Sequence, residues 1–239
     1  GKYTGKAHCS MFPLDELGSP EVSFSLKLTL RTCAACLVLH AAAAVPLARW
    51  SSSGPALLRR TLSFLITLPL VFPPIALGFM LLMFFGYEGP GGRLLRETAG
   101  VSLVFSQAGI IFAAWLAGLP LVVKPVQAAL GDPELERLRQ AARVCGAGPA
   151  ATFFLITLPL IRRGLAAGLL LGLTRALGEV GMSLMLGGNI AGRTNTLSLE
   201  IFNSVSTGEY RRAAALCLLL GIVSLLLYLA VEFCQSKKS

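Results

Sequence analysis

Five apolar runs, at residues 26–48, 61–85, 101–123, 164–187 and 213–233, dominate the chain, and each is long enough to cross a bilayer as a helix. Lipid offers no partner to backbone N–H and C=O groups, so runs of this length restrict the fold to helices that satisfy their own backbone. Composition agrees: 54% of the 239 residues are hydrophobic and 14% charged, against roughly 25% charged in a soluble domain. The expectation is one all-α integral membrane domain of about five transmembrane helices over residues 25–233. An external segment 1–24 precedes it and a cytoplasmic tail 234–239 follows.

The runs differ in character. Lys27 and Arg31 lie one turn apart at the start of the first and reach back toward the headgroups. Pro69, Pro73 and Pro74 must bend or break the second, as a structural kink or as a moving gate element. Residues 1–21 contain no apolar core of signal-peptide length, so the first run is expected to serve as its own targeting signal. Residues 1–10, ahead of Met11, read as an extension without functional weight.

The formal net charge of +9 does not point to nucleic acid, because the Lys and Arg residues fall in short clusters between apolar runs and not along one stripe. One side of the membrane receives eleven of them, including Arg49, Arg59, Arg60, Arg162 and Arg163, and the other seven, including Arg93, Arg96, Arg193, Arg211 and Arg212. The richer side is expected to be cytoplasmic, with the N-terminus outside and the C-terminus inside.

Reactive residues are sparse. Cys33 and Cys36 have redox or metal spacing, but they sit in an apolar run without a second pair and read as small packing residues. His8 and His40 are isolated, and His40 reads as buried packing. No G-x-x-x-x-G-K-[ST] phosphate loop is present, so no ATPase site is expected on this chain, and no His/Cys/carboxylate cluster has metal-site spacing, so no metal or cofactor is expected either. The heptapeptide Phe-Leu-Ile-Thr-Leu-Pro-Leu occurs at 64–70 and again at 154–160, without a sustained period around either copy.

The connection 124–163 carries the most structured polar signal. Asp132 suits an N-cap, Pro133 the first helical position, and Glu134 and Glu136 the first turn, where the helix dipole favours negative charge. A short helix is expected over 133–145, with Leu135, Leu138, Ala142 and Cys145 as its apolar stripe. Gly146 should stop it, and a second short segment should begin at Gly148-Pro149 and end before Pro159.

Within this loop, Gln140-Ala141-Ala142, three residues, Gly146, nine residues, then Ile156-Thr157-Leu158-Pro159 resembles the E-A-A-x3-G-x9-I-x-L-P signature of ABC importer permeases, with Gln140 standing for the usual Glu. The resemblance implies a type-1 importer fold in which this cytoplasmic loop forms coupling helices that dock on a separate ATPase. Gln140, Ala141, Ala142, Gly146, Ile156, Leu158 and Pro159 are the residues it assigns to coupling. ATP and Mg would then be held by partner ATPase subunits.

Arg175 and Glu179 lie four residues apart on one face of the fourth run, and counted from Gly164 they fall near mid-membrane. Charges there are costly and pair or face a watery cavity, so the pair either fixes packing or lines an anion path. The stretch Arg175-Ala176-Leu177-Gly178-Glu179-Val180-Gly181, followed by Gly187-Gly188-Asn189-Ile190-Ala191-Gly192-Arg193-Thr194-Asn195-Thr196-Leu197, resembles the molybdate and tungstate permeases. Val180 replaces a usual Phe and Ala191 a usual Pro. The likeness extends over roughly residues 25–233; sulfate permeases share the Gly-Asn-Ile part of the loop.

A tetrahedral oxyanion needs hydrogen-bond donors and positive potential. Backbone N–H groups at Gly187, Gly188 and Gly192, with Asn189 and Arg193, could supply them; alternatively the loop docks an external binding protein. The expected partners are ABC ATPase subunits, an external oxyanion-binding protein, a second permease copy and the lipid bilayer. Two rival classes are a membrane-embedded enzyme, for which Arg175 and Glu179 are too small a set, and a stand-alone secondary transporter, for which no inverted repeat is visible.

Overall fold

The computed structural model describes residues 18–52 and 55–236, and among these the regular structure is helical throughout. Residues 1–17 and the tail from residue 237 lie outside the described part; the expected external segment 1–24 is described only from residue 18, and a helix already begins within it at Pro20. In chain order the helices are α1 (Pro20–Trp50), α2 (Ala56–Val71), α3 (Pro74–Phe85), α4 (Pro90–Ala99), α5 (Gln107–Leu130), α6 (Pro133–Val144), α7 (Pro149–Thr152), α8 (Leu158–Leu177), α9 (Gly181–Gly187), α10 (Leu197–Ser206) and α11 (Tyr210–Ser236), with a π-helical turn, Phe153–Thr157, joining α7 to α8.

Four stretches are long and apolar enough to cross a membrane: α1, α5, the continuous run Pro149–Leu177, and α11 over Tyr210–Ala230. The expected second span, 61–85, is instead two shorter helices broken at Phe72 and Pro73, where Pro73 and Pro74 cannot supply the N–H groups that would carry α2 onward. Pro69 stays inside α2 without ending it.

The bundle is organised around α5, which is 61% buried over its most apolar stretch against 22% for α11. It packs most extensively on α8 and then on α1. Glycines permit the close α5–α8 seam. A Cβ on Gly168 would stand 2.8 Å from the Val122 carbonyl oxygen, and one on Gly118 would stand 2.5 Å from the Gly172 carbonyl oxygen. Small residues of this kind let membrane helices approach until their backbones touch. His40 enters the same region from α1, and its Nε2 lies 2.8 Å from the Trp115 carbonyl oxygen. Cys33 and Cys36 are buried free thiols in the α1 packing face, as the packing reading expects.

Three boundaries move relative to expectation. The third span starts at Gln107, because the Ser106 hydroxyl caps it by accepting from Gly109 N–H at 3.1 Å, and it continues through Lys124 and Pro125 to Leu130. The fourth starts at Pro149 and stops at Leu177; the expected 164–187 run is cut at Gly178–Val180, and α9 is a separate short helix. Finally, α11 runs on to Ser236, so the expected tail boundary at 234 falls inside a helix.

Candidate functional site: the loop after α5 and the broken fourth span

The loop after α5 folds as its residues dictate. Asp132 caps α6, one carboxylate oxygen accepting the Glu134 N–H at 2.9 Å. The other end closes with two reversed bonds: Ala147 N–H to the Ala142 carbonyl at 2.9 Å and Gly146 N–H to the Arg143 carbonyl at 3.0 Å, with Gly146 at φ +80°. This is a Schellman stop, which requires a left-handed residue where a side chain is strained.

Leu135 is buried in the cluster formed by Ala48, Ile66, Val126 and Ile161, and it anchors the start of α6 to the bundle. The expected apolar stripe is buried no further than this first turn: Ala142 is half-buried, while Leu138 and Cys145 are exposed. The helix therefore projects from its anchor, presenting Gln140, Ala141 and Gly146 to the surroundings.

The second half of the loop departs from expectation. Pro159 does not end a separate helix; it sits in the first turn of α8, and α7 runs into α8 without a break. A π-turn precedes it. Leu158 N–H bonds back to the Phe153 carbonyl and the Thr157 hydroxyl to the Thr152 carbonyl, five residues earlier in each case, so the wider turn relieves the clash a proline makes with the carbonyl four residues before it. Ile156 and Leu158 are half-buried, Pro159 is exposed, and Ile156 packs on the same cluster as Leu135. The residues assigned to coupling thus sit on one capped helix and on the base of a span continuous with the bundle.

Arg175 is not at the middle of its helix. It lies in the last turn of α8, about 39 Å along a helix begun at Pro149. Its guanidinium Nη1 is 2.6 Å from Glu179 Oε2, and the Glu179 side chain is 1% exposed against 28% for Arg175. The second oxygen of Glu179 accepts the Met182 N–H at 2.7 Å, so the same carboxylate caps α9. Here the two broken spans meet: a Cβ on Gly181 would stand 2.9 Å from Pro74 Cβ and 3.0 Å from Ile75 N. Discontinuous helices facing each other are a recurrent setting for transported ions in membrane proteins, because half-helix ends expose uncompensated backbone dipoles.

The loop after α9 is tied down. Gly188 N–H bonds to the Leu184 carbonyl, and Thr194 Oγ1 accepts from Ile190 N–H and donates to the Gly187 carbonyl. Asn189, at φ +49°, exchanges amide bonds with Asn203, its Nδ2 donating to Asn203 Oδ1 at 2.5 Å. The Gly188 N–H and the Asn189 side-chain amide are thus engaged within the loop, while the Arg193 side chain is exposed. Gly187 is buried, and a Cβ there would strike Ile110.

Residues that sequence reasoning passed over hold this region. Leu197 N–H bonds to Thr29 Oγ1 on α1 at 2.9 Å, and Ser198 Oγ donates to the Leu177 carbonyl at 2.6 Å. Glu200 is buried, accepts from Asn195 Nδ2 and pairs with Arg212 at 2.5 Å; Arg212 also reaches Glu21 at 3.1 Å. The available sequence signal was an acid in the first turn of α10, since a Glu200–Arg212–Glu21 link across three helices has no spacing signature. Among the described residues no three His, Cys, Asp or Glu side chains come together as metal ligands.

Comparison with known proteins follows this geometry. Residues 44–236 match the family described as binding-protein-dependent transport system inner membrane component. The chain is 36% identical over 189 residues to the molybdenum transport system permease protein ModB of Azotobacter vinelandii, covering 79% of this chain and 83% of that protein. It is 38% identical over 173 residues to the ModB protein of Haemophilus influenzae, covering 72% and 75%. In fold it is similar to a chain of a bacterial alginate ABC transporter crystallised with its periplasmic protein, with a TM-score of 0.70 at 18% identity over 91% of this chain and 79% of that one.

Proposed function

The chain belongs to the family of binding-protein-dependent transport system inner membrane components, and from that premise we propose that it is the membrane permease subunit of an ATP-driven importer of molybdate. The observation that carries the substrate is the similarity to molybdenum permeases over more than four-fifths of their length in the Azotobacter case. Tungstate and sulfate, also tetrahedral dianions, are the competing cargoes.

In this reading α6 and the base of the fourth span are the coupling element. Gln140, Ala141 and Ala142 face a separate ABC ATPase that holds ATP and Mg, and Gly146 sets the reversal between the two arms. Ile156, Leu158 and Pro159 carry the motion into the bundle, because α7, the π-turn and α8 form one rod that transmits displacement without a hinge loop. Capped at one end and anchored by Leu135, α6 is stiff enough to be pushed.

Arg175 is the residue of the path. Partly exposed, beside the junction of the two broken spans, it supplies positive potential to a passing dianion while Glu179 holds it in place and prevents tight retention. Gly187, Gly188 and Asn189 shape the outer loop through their internal bonds, and Arg193 offers the exposed charge that an external oxyanion-binding protein or the anion itself would meet. Four long crossings, with α2 and α3 together as a broken fifth, are few for a route with two gates, so two copies around a two-fold axis form it. The N-terminus is outside and the C-terminus is cytoplasmic.

The test is ATP-driven uptake by the chain reconstituted with its ATPase and binding protein, with molybdate, tungstate and sulfate in competition. Molybdate uptake suppressed by tungstate and not by sulfate is expected. Suppression by sulfate at equal concentration would reassign the cargo, and the absence of a co-purifying ATPase would remove the coupling role.

A further inference from the structure

Beside the coupling helix lies a cavity of about 270 Å³ lined by three arginines: Arg49 from the last turn of α1, and Arg139 and Arg143 one turn apart on α6. Its remaining wall includes Pro149, Thr152 and Thr157 at the base of the fourth span. A second cavity of about 70 Å³ adjoins it and shares Arg49 and Arg139.

The charge is unbalanced. Glu136 is the one described carboxylate paired there, 3.6 Å from Arg139 Nη1 and half exposed, and Arg139 Nε is held by the Thr157 hydroxyl at 3.0 Å. No described carboxylate pairs with Arg49 or Arg143. Three arginines bordering one recess with a single carboxylate give it a positive potential that an anion would offset, and planar guanidinium forks match the oxygens of a tetrahedral oxyanion.

We infer that this cavity is a binding site for a tetrahedral oxyanion group, supplied by the phosphate of an anionic phospholipid. The position favours the lipid over a free anion. Trp50, next to Arg49, is 60% exposed, and tryptophans gather at the membrane–water interface. Phe154, 62% exposed, stacks edge-on against the wall residue Phe153 at 5.1 Å and offers an apolar contact for an acyl chain beside the charged recess. A bound headgroup would join the end of α1, the coupling helix and the base of α8 through one counter-ion. The inference rests on the reading of this face as the inner membrane surface.

The test compares the wild-type complex with the Arg49→Gln/Arg143→Gln variant, in which Arg139 keeps its structural bond to Thr157. Native mass spectrometry after exposure to phosphatidylglycerol or phosphatidylcholine should show phosphatidylglycerol held preferentially by the wild type. The variant should hold it about thirtyfold more weakly, since each of the two basic residues near an anionic surface contributes about a fivefold factor. Thermal unfolding in millimolar inorganic phosphate and in molybdate forms the second arm. Stabilisation of the wild type but not of the variant by these ions, with equal lipid retention, would keep the oxyanion site and overturn the lipid as its source. Equal behaviour of both proteins in both arms overturns the site. Loss of the ATPase from the variant with unchanged lipid and ion responses overturns it too, making the arginines part of the docking face. A wild type that binds no ATPase but retains phosphatidylglycerol through these arginines would defeat the transport reading and leave the lipid site standing.

Discussion

Glu179 does two things with one carboxylate: it neutralises Arg175 and it caps α9 through the Met182 N–H. Removing it leaves both a charge without its partner and a helix without its cap, and losing one member of such a buried pair typically costs about 3–5 kcal/mol. An apolar replacement at both positions would confuse the two roles. The informative variant is Arg175→Met with Glu179→Gln, because a Gln carbonyl oxygen can still accept the Met182 N–H while the ion pair is gone. This double variant is expected to assemble at normal yield, unlike Glu179→Ala, and to take up oxyanion at least tenfold more slowly per assembled complex. Wild-type uptake in it would make the pair a packing device and move the positive potential to Arg193.

The identical heptapeptide at 64–70 and 154–160 shows what an element owes to its surroundings. In α2 the Thr67 hydroxyl bonds to the Ser63 carbonyl four residues back, as in an ordinary helix, whereas Thr157 bonds to Thr152 five residues back in the π-turn. The second copy follows a Schellman stop and meets Arg139, and that context selects the wider turn. The stop itself is testable. Gly146 is at φ +80° with nothing within 4 Å of an added Cβ, so a side chain there meets backbone strain and no collision. Gly146→Val is expected to cost at least about 1–2 kcal/mol in the turn, to abolish ATP-driven uptake and to leave the spans inserted. Gly146→Asn, which tolerates the left-handed region, should retain most uptake, and Gln140→Glu should be tolerated. Equal uptake by the Val variant and the wild type would detach the turn from coupling.

Across the whole molecule, α5 is the hub and α11 the periphery, an order that burial decides and hydropathy hides: α11 has a mean hydropathy of 2.6 and α5 of 1.8. The more apolar helix is the less buried one because lipid, unlike water, does not drive apolar surface inward, and close packing by Gly118 and its neighbours sets the centre. The charge distribution bears on orientation. Reporters fused after Arg60 and Arg163 should read cytoplasmic, and those after Arg93 and Arg193 external. A cytoplasmic reading at Arg193 would refute the proposed arrangement of crossings, including the placement of the outer loop.

Periodicity-free apolar runs were enough to determine an all-helical membrane chain, and local chemistry was enough to determine the Asp132 cap, the Gly146 stop and the residues between them, because capping and turn preferences act within a few positions. Their setting in an apolar run without partner ligands also placed Cys33, Cys36 and His40 in the packing. Tertiary structure alone decided that the fourth run begins at Pro149 and breaks at Gly178, so that Arg175 stands in a last turn and not at mid-helix. It alone brought Gly181 against Pro74, joined Glu200 to Arg212 and Glu21, and gathered Arg49 with Arg139 and Arg143 around one cavity. Each of these depends on which helix packs beside which, and that is set by the fit of glycine seams and buried polar partners far apart in the chain.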